Sequence, residues 1–200
     1  MKDYEEQDIL SREFYSRDTA LVGEELLGKL LIRRLDEEEV GGLIVETEAY
    51  YGEDDPASRA YEGKKRYNEV MYGESGHLFI YNVHQYWMLN FIAHEPGSVG
   101  GVLIRAIEPI LGLETMKRNR PVSDNVNLTS GPGKLTLALD VDKDLNGIPV
   151  TEKGSSIVVK RNESQFEIGR SHRIGVTRDL DRKLRFYIKG NKFVSVKPRS

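Results

Sequence analysis

In the stretch LIVETEAYY at residues 43–51, two carboxylates interrupt a run that otherwise reads as a buried strand. Side chains of a strand alternate faces, so Leu43, Val45, Thr47 and Ala49 share one face while Ile44, Glu46, Glu48 and Tyr50 share the other. A carboxylate among apolar neighbours has its ionised form disfavoured. That raises its pKa towards neutrality and makes it a usable proton acceptor. Taken by itself the same face could be an ordinary solvated surface, since exposed glutamate is common. A second polar group adds to the case. In the strand expected at 101–107, Leu103, Arg105 and Ile107 point the same way, and a guanidinium on the apolar side of a central strand is costly unless a carboxylate or ligand engages it. Glu48 or Glu46 is the obvious partner. Asn90, between Met88 and Ile92, is likewise polar on an oily face, although it could simply satisfy a buried backbone group. Tyr81 shares a face with Phe79, and spacing alone makes Tyr81 and Trp87 core residues.

The elements that must carry these groups follow from the local pattern. Residues 1–17 read as a loosely ordered polar leader. Asp18 can cap a helix over 19–27 that Gly28 ends. Residues 29–35 and 42–51 form a hairpin across an acidic turn at 36–39. Asp54-Asp55-Pro56 looks like the cap and first position of a helix over 57–62, and Lys64-Lys65-Arg66-Tyr67-Asn68 is a short basic loop. Strands are expected at 77–83 and 86–93 around a tight connection at 82–85, and a helix at 110–119 stops before Pro121. Residues 123–132 read as loop and 134–139 as helical. Further short strands at 156–160, 184–189 and 193–196 follow, the last two joined by Gly190-Asn191. The order implies an α+β fold: one domain over 1–200, with a curved, mostly antiparallel sheet and flanking helices.

Composition narrows the chemistry. The 200 residues are 38% hydrophobic and 30% charged, an ordinary single-core balance. Cysteine is absent, which removes disulfides, thiolate nucleophiles and Cys-ligated clusters. His77, His84, His94 and His172 show no close metal-ligand spacing, so neither metal nor other cofactor is expected. With no apolar run long enough to span a bilayer and an acidic amino terminus, a cytoplasmic protein without membrane contact is expected. The formal net charge of −3 hides a segregation: residues 1–60 hold 7 Lys and Arg against 17 Asp and Glu, and residues 160–200 hold 12 against 4. That basic end is either a footprint for a polyanion or the salt-bridging counterpart of the acidic end. Ser130-Gly131-Pro132-Gly133-Lys134 lacks the spacing of a nucleotide triphosphate cradle, though its amides could meet a phosphate.

Several blocks together resemble the alkyladenine (3-methyladenine, methylpurine) DNA glycosylases: IVETEAY at 44–50, DDPAS at 54–58, the strand at 76–81, LIRAIEP at 103–109, LTSGPGKL at 128–135, RIGV at 173–176 and LRFYIKG at 184–190. The resemblance covers nearly the whole chain, and implies a glycosylase-like domain related to formyltransferase carboxyl-terminal domains. It implies a monomer acting on double-stranded DNA with damaged purines, nucleoid-associated when bound. Glu48 would be the general base and Arg105 would hold the carboxylate and its water. Tyr50 and Tyr81 would sandwich the flipped base, Asn90 would shape the pocket floor and Ile174 would wall the water site.

The implied reaction suits these residue types. A glycosidic bond inside a duplex is hidden, so the nucleotide must be extruded and its base stacked between aromatic faces. An alkylated purine is already cationic and is drawn to electron-rich rings. Water activated by Glu48 would attack C1′ through an oxocarbenium-like transition state, leaving an abasic site without strand cleavage. Three positions depart from the family pattern. Arg59 replaces a pocket histidine, and unlike histidine cannot accept a hydrogen bond. The Val83-His84-Gln85 turn is one residue short, leaving His84 as the intercalating plug, although a turn residue ordinarily faces water. Tyr67-Asn68 stands where an Arg-Asn pair is expected, with Arg66 displaced by one. Two other readings compete: a damaged-nucleic-acid binding module without catalysis, and a nucleoside or sugar hydrolase using Glu46 and Glu48 as a pair, which would have to flank the bond from one side.

Overall fold

The long strand that carries Glu46 and Glu48 is the spine of the molecule. In the computed structural model, which describes residues 9–36 and 38–196, it runs over Glu39–Tyr51 as β2. The first half of β2 pairs antiparallel with β1 (Leu30–Arg34), and residues 46–48 pair along the same edge with β8 (Arg185–Ile188). Its other edge pairs throughout with β5 (Gly100–Leu111). Outward from β5 come β4 (Tyr86–Ile92) and β3 (Leu78–Val83); outward from β1 comes β6 (Ile157–Lys160), and β7 (Ile168–Ser171) covers β8. The described residues therefore form one curled antiparallel sheet of eight strands with helices packed against it, an α+β fold as expected.

The branch on β2 is made by an irregularity. The pairing steps from Ile44↔Ile107 to Glu46↔Ala106 and then to Thr47↔Ile104, leaving Val45 and Arg105 without direct partners. This bulge breaks the strict alternation read from the sequence. Ile44, Thr47 and Ala49 face the helix side, where Ile44 and Ala49 join the main core and the Thr47 hydroxyl donates to the Gly23 carbonyl at 2.7 Å. Val45 instead packs in a separate cluster with Ala106, Tyr187, Phe193 and Val194. Ile107 likewise belongs to the main core and does not continue the face of Leu103 and Arg105. A bulge adds one residue and bends the strand, which two-residue periodicity cannot anticipate. Before the bulge, Gly41 and Gly42 are squeezed between neighbours. A Cβ there would sit 2.1 Å from the Leu31 oxygen and 2.0 Å from the Glu108 oxygen.

The helix side is covered by α2 (Thr19–Glu25), capped as expected by Asp18, whose carboxylate accepts from the Ala20 and Leu21 amides. Helix α1 (Arg12–Tyr15) precedes it; Leu10 and Tyr15 are buried, so the supposed leader is core from residue 10 onward, and residues 1–8 lie outside those described. On β4 and β5 lies α5 (Pro132–Ala138), with α4 (Asn125–Thr129) beside it on β5 and α3 (Leu113–Asn119) packed against α5 and β2. Expected helix 110–119 is shorter because β5 runs to Leu111 and Gly112, at φ +65°, makes the change of direction. Residues 123–132, read as loop, contain α4. Residues 193–196 are not a strand: Asn191 accepts from the Phe193 amide and the chain turns so that Ser195 meets Glu46. Strand β7 was not expected. Among the described residues no helix is long and apolar enough to cross a membrane.

Candidate functional site

Burial without solvent is what gives the two glutamates their character. Both are fully buried, and they divide their partners unequally. Glu46 accepts from the Arg105 and Arg185 Nε atoms at 2.8 and 2.7 Å, and from the Ser195 amide and hydroxyl at 2.6 and 2.9 Å. Glu48 accepts from Arg105 Nη1 at 3.1 Å and the Tyr50 hydroxyl at 2.8 Å on Oε2, and from the Ile174 amide at 2.7 Å on Oε1. Burial pushes both carboxyls up. At Glu46 the two guanidiniums and the Ser195 amide outweigh it and hold the group below its ordinary value. At Glu48 burial wins over Arg105, the Ile174 amide and the Tyr50 hydroxyl, and neighbouring Glu46 adds to the rise. Arg105 thus pairs with both acids.

Around Glu48 the strand geometry delivers the rings. Tyr50 stays on the Glu48 face two residues on, and burial together with the Glu48 carboxylate raises its phenol far above the ordinary range. Tyr81 comes from β3, opposite Met88, and Asn90 from β4, opposite Phe79 and Leu103. Tyr50, Arg59, Met71, Phe79, Tyr81 and Asn90 line a small cavity with room for about one water molecule. Asn90 donates through Nδ2 to the Phe79 and Met88 carbonyls at 3.0 and 3.1 Å, so it does satisfy buried backbone. The Arg59 guanidinium lies 4.6 Å from the centre of the Tyr81 ring.

Arg59 is carried by a segment whose form differs from expectation. Residues 57–62 are a chain of tight turns, not a helix, because Asp55 does not act as a simple cap. Its carboxylate accepts from the Tyr51 and Ala57 amides and makes a two-pronged ion pair with Arg173, at 2.6 and 2.7 Å. The 3-10 turn Arg66–Tyr72 replaces the expected basic loop, and buried Asn68 ties it to the Arg59 carbonyl at 2.8 Å. Tyr67 donates to the same carbonyl at 3.1 Å. Ile174 is half-buried, and its observed contact with Glu48 is through its backbone amide. His84 stands apart from this cluster at the exposed β3–β4 turn, with φ +54° and Val83 paired to Tyr86.

Arg173, Arg185, Asp55, Asp179 and Ser195 were missed as site residues. Arg173 also pairs with Asp179 at 2.6 Å, donates to the Ala49 carbonyl, and lies 4.5 Å from the Tyr50 ring. The signal that pointed to Arg105, a guanidinium flanked by buried apolar residues in a strand, applies equally to Arg185 between Leu184 and Phe186. Asp55 and Asp179 carried no such signal. With Arg170, these two arginines also show that part of the basic carboxyl-terminal charge is spent on the acidic amino-terminal half, in the pairs Arg170–Glu24, Arg173–Asp55 and Arg185–Glu46. Among the described residues, no group of three or more His, Asp or Glu is arranged to hold a metal ion.

Comparison with known proteins supplies the lineage. The family model described as Methylpurine-DNA glycosylase (MPG) matches residues 13–192. The chain belongs to the methylpurine-DNA glycosylase family. Among its relatives are proteins from Aeropyrum pernix, 40% identical over 94% of this chain and 93% of their own length, and from Mesorhizobium japonicum, 43% identical over 98% and 94%. One from Clostridium perfringens is 42% identical over 94% of this chain and 99% of its own. Each carries the name "Putative 3-methyladenine DNA glycosylase".

Proposed function

We propose that the protein is a monofunctional DNA glycosylase that extrudes a damaged purine from duplex DNA and hydrolyses its N-glycosidic bond with water activated by Glu48. The observation that carries this reading is the asymmetry between the glutamates: Glu46 is held by two guanidiniums and by Ser195, whereas fully buried Glu48 shares only Arg105 and is hydrogen-bonded to Tyr50, one of the two tyrosines that line the cavity. Arg105, Tyr50 and the Ile174 amide donate to three acceptor positions of Glu48, and a carboxylate has about four. The fourth can hold the attacking water. The water oxygen bonds to C1′, its proton passes to Glu48, and the glycosidic electron pair leaves with the base.

Tyr50 and Tyr81 supply stacking faces for the extruded base and Asn90 the cavity floor. Ile174 holds Glu48 through its amide and bounds the water. His84, at the exposed β3–β4 turn, would fill the gap in the duplex. Since no lysine Schiff base is involved, the product is an abasic site in an unbroken strand. Family membership and the names of the relatives support the reaction class. A duplex with a single damaged purine tests it: purified protein should release free base, with strand breaks only after alkali. Salt-sensitive binding without release would instead indicate a damaged-DNA binding module.

A further inference from the structure

The cavity holds a charge that the reaction does not use. Arg59 lies against the ring of Tyr81, and Arg173 against the ring of Tyr50, so each of the two stacking rings already carries a guanidinium. Arg173 is offset by Asp55 and Asp179. Among the described residues no ion pair is recorded for Arg59, and Glu48, the acid beside the cavity, is engaged by Arg105. The backbone of Arg59 is pinned through its carbonyl to Asn68 and Tyr67, while its side chain is exposed. Its base is held and its tip rests on the Tyr81 ring. With room for about one water in the cavity, an entering purine must displace that tip or stack beside it.

We propose that Arg59 is a specificity-determining residue that tilts the site towards neutral 6-oxopurines, of which hypoxanthine is the simplest, and away from purines made cationic by N3 or N7 alkylation. This deepens the glycosylase reading and rests on it. A cationic base gains from an electron-rich ring, but here each ring already has a guanidinium against it, and at Tyr81 the charge of Arg59, without a carboxylate partner among the described residues, meets a cationic base as like charge. A neutral 6-oxopurine offers two acceptors, O6 and N7, that match the paired N–H groups of a guanidinium. Undamaged adenine offers a 6-amino donor instead, and arginine has no acceptor for it. Guanine shares the O6 and N7 edge but sits in a full base pair, whereas a deaminated base in a mispair costs less to extrude. On departure the C1′–N9 electron pair goes to the purine, whose O6 and N7 are held by Arg59; water bonds to C1′ and its proton goes to Glu48. The freed base anion then takes a proton from solvent.

The test compares single-turnover release of hypoxanthine and of 7-methylguanine from otherwise matched duplexes. Arg59→Gln should shift the ratio of the two rates towards 7-methylguanine by about tenfold or more, the scale of losing a paired arginine contact. Arg59→Lys keeps the charge and loses the fork, so it should slow hypoxanthine release while still discriminating against 7-methylguanine. Both variants change an exposed side chain, and their melting temperatures check that the fold is kept. If wild type releases both bases and Arg59→Gln leaves their ratio unchanged, this inference fails while the glycosylase reading stands. If wild type releases neither, both fail.

Discussion

Glu46 and Glu48 stand two residues apart on one strand and are pushed in opposite directions. For Glu46 the folded value is depressed, so the carboxylate stabilises the fold above the unfolded glutamate value, and that contribution is lost as pH falls through the depressed value. For Glu48 the folded value is raised, so ionisation erodes stability as pH climbs from the unfolded value through the raised one. Two outcomes follow in thermal denaturation near neutral pH. Glu46→Gln should lose about 3–5 kcal/mol, because buried Arg185 loses its carboxylate. Glu48→Gln should melt at or above wild type, since Arg105 keeps Glu46. With Glu48 in its proposed role the same rise predicts the pH profile of turnover: a base must be ionised, so the acidic limb of kcat/KM should lie above the ordinary glutamate range. Glu48 and Arg105 were legible because charge in an apolar strand is conspicuous. Arg173 was not, since it lies in irregular chain where no period marks a face.

At the level of elements, β2 positions the site through its bulge and the segment at 52–63 through Asp55. Strand spans were readable from β-branched runs and glycine punctuation, and β1, β3, β4, β6 and β8 fall close to where the pattern put them. The failures share a cause. The helix expected at 57–62, the strand expected at 193–196 and the regular face of β2 were all decided by tertiary partners, Arg173, Glu46 and the paired irregularity with β5. Local pattern carries no record of those. Asp55→Asn should therefore loosen the Arg59 segment selectively. Amide hydrogen exchange is expected to speed up across 52–63 while β4 and β5 remain protected; equal protection in that segment would mean that the ion pair does not hold it. Gly42→Ala should be far more damaging than its size suggests, because its Cβ would meet the Glu108 carbonyl and not a movable side chain.

On the scale of the whole molecule, part of the charge segregation seen in the sequence is spent within the fold, in the pairs made by Arg170, Arg173 and Arg185, and DNA is met by the remaining local cations and by shape. Binding to a damaged duplex should still weaken linearly in log affinity against log salt, with a slope of about 0.9 for each phosphate neutralised. His84→Ala should reduce lesion release on the order of tenfold, with little change in binding to intact duplex, because unstacking alone costs a few kcal/mol. The most direct measurement of the central claim is the single-turnover rate of base release by Glu48→Gln, paired with its affinity for the same lesion duplex. The structure predicts retained binding and a rate lower by at least ~10²-fold, the scale of losing a general base. A variant that releases base as fast as wild type would contradict the role given to Glu48.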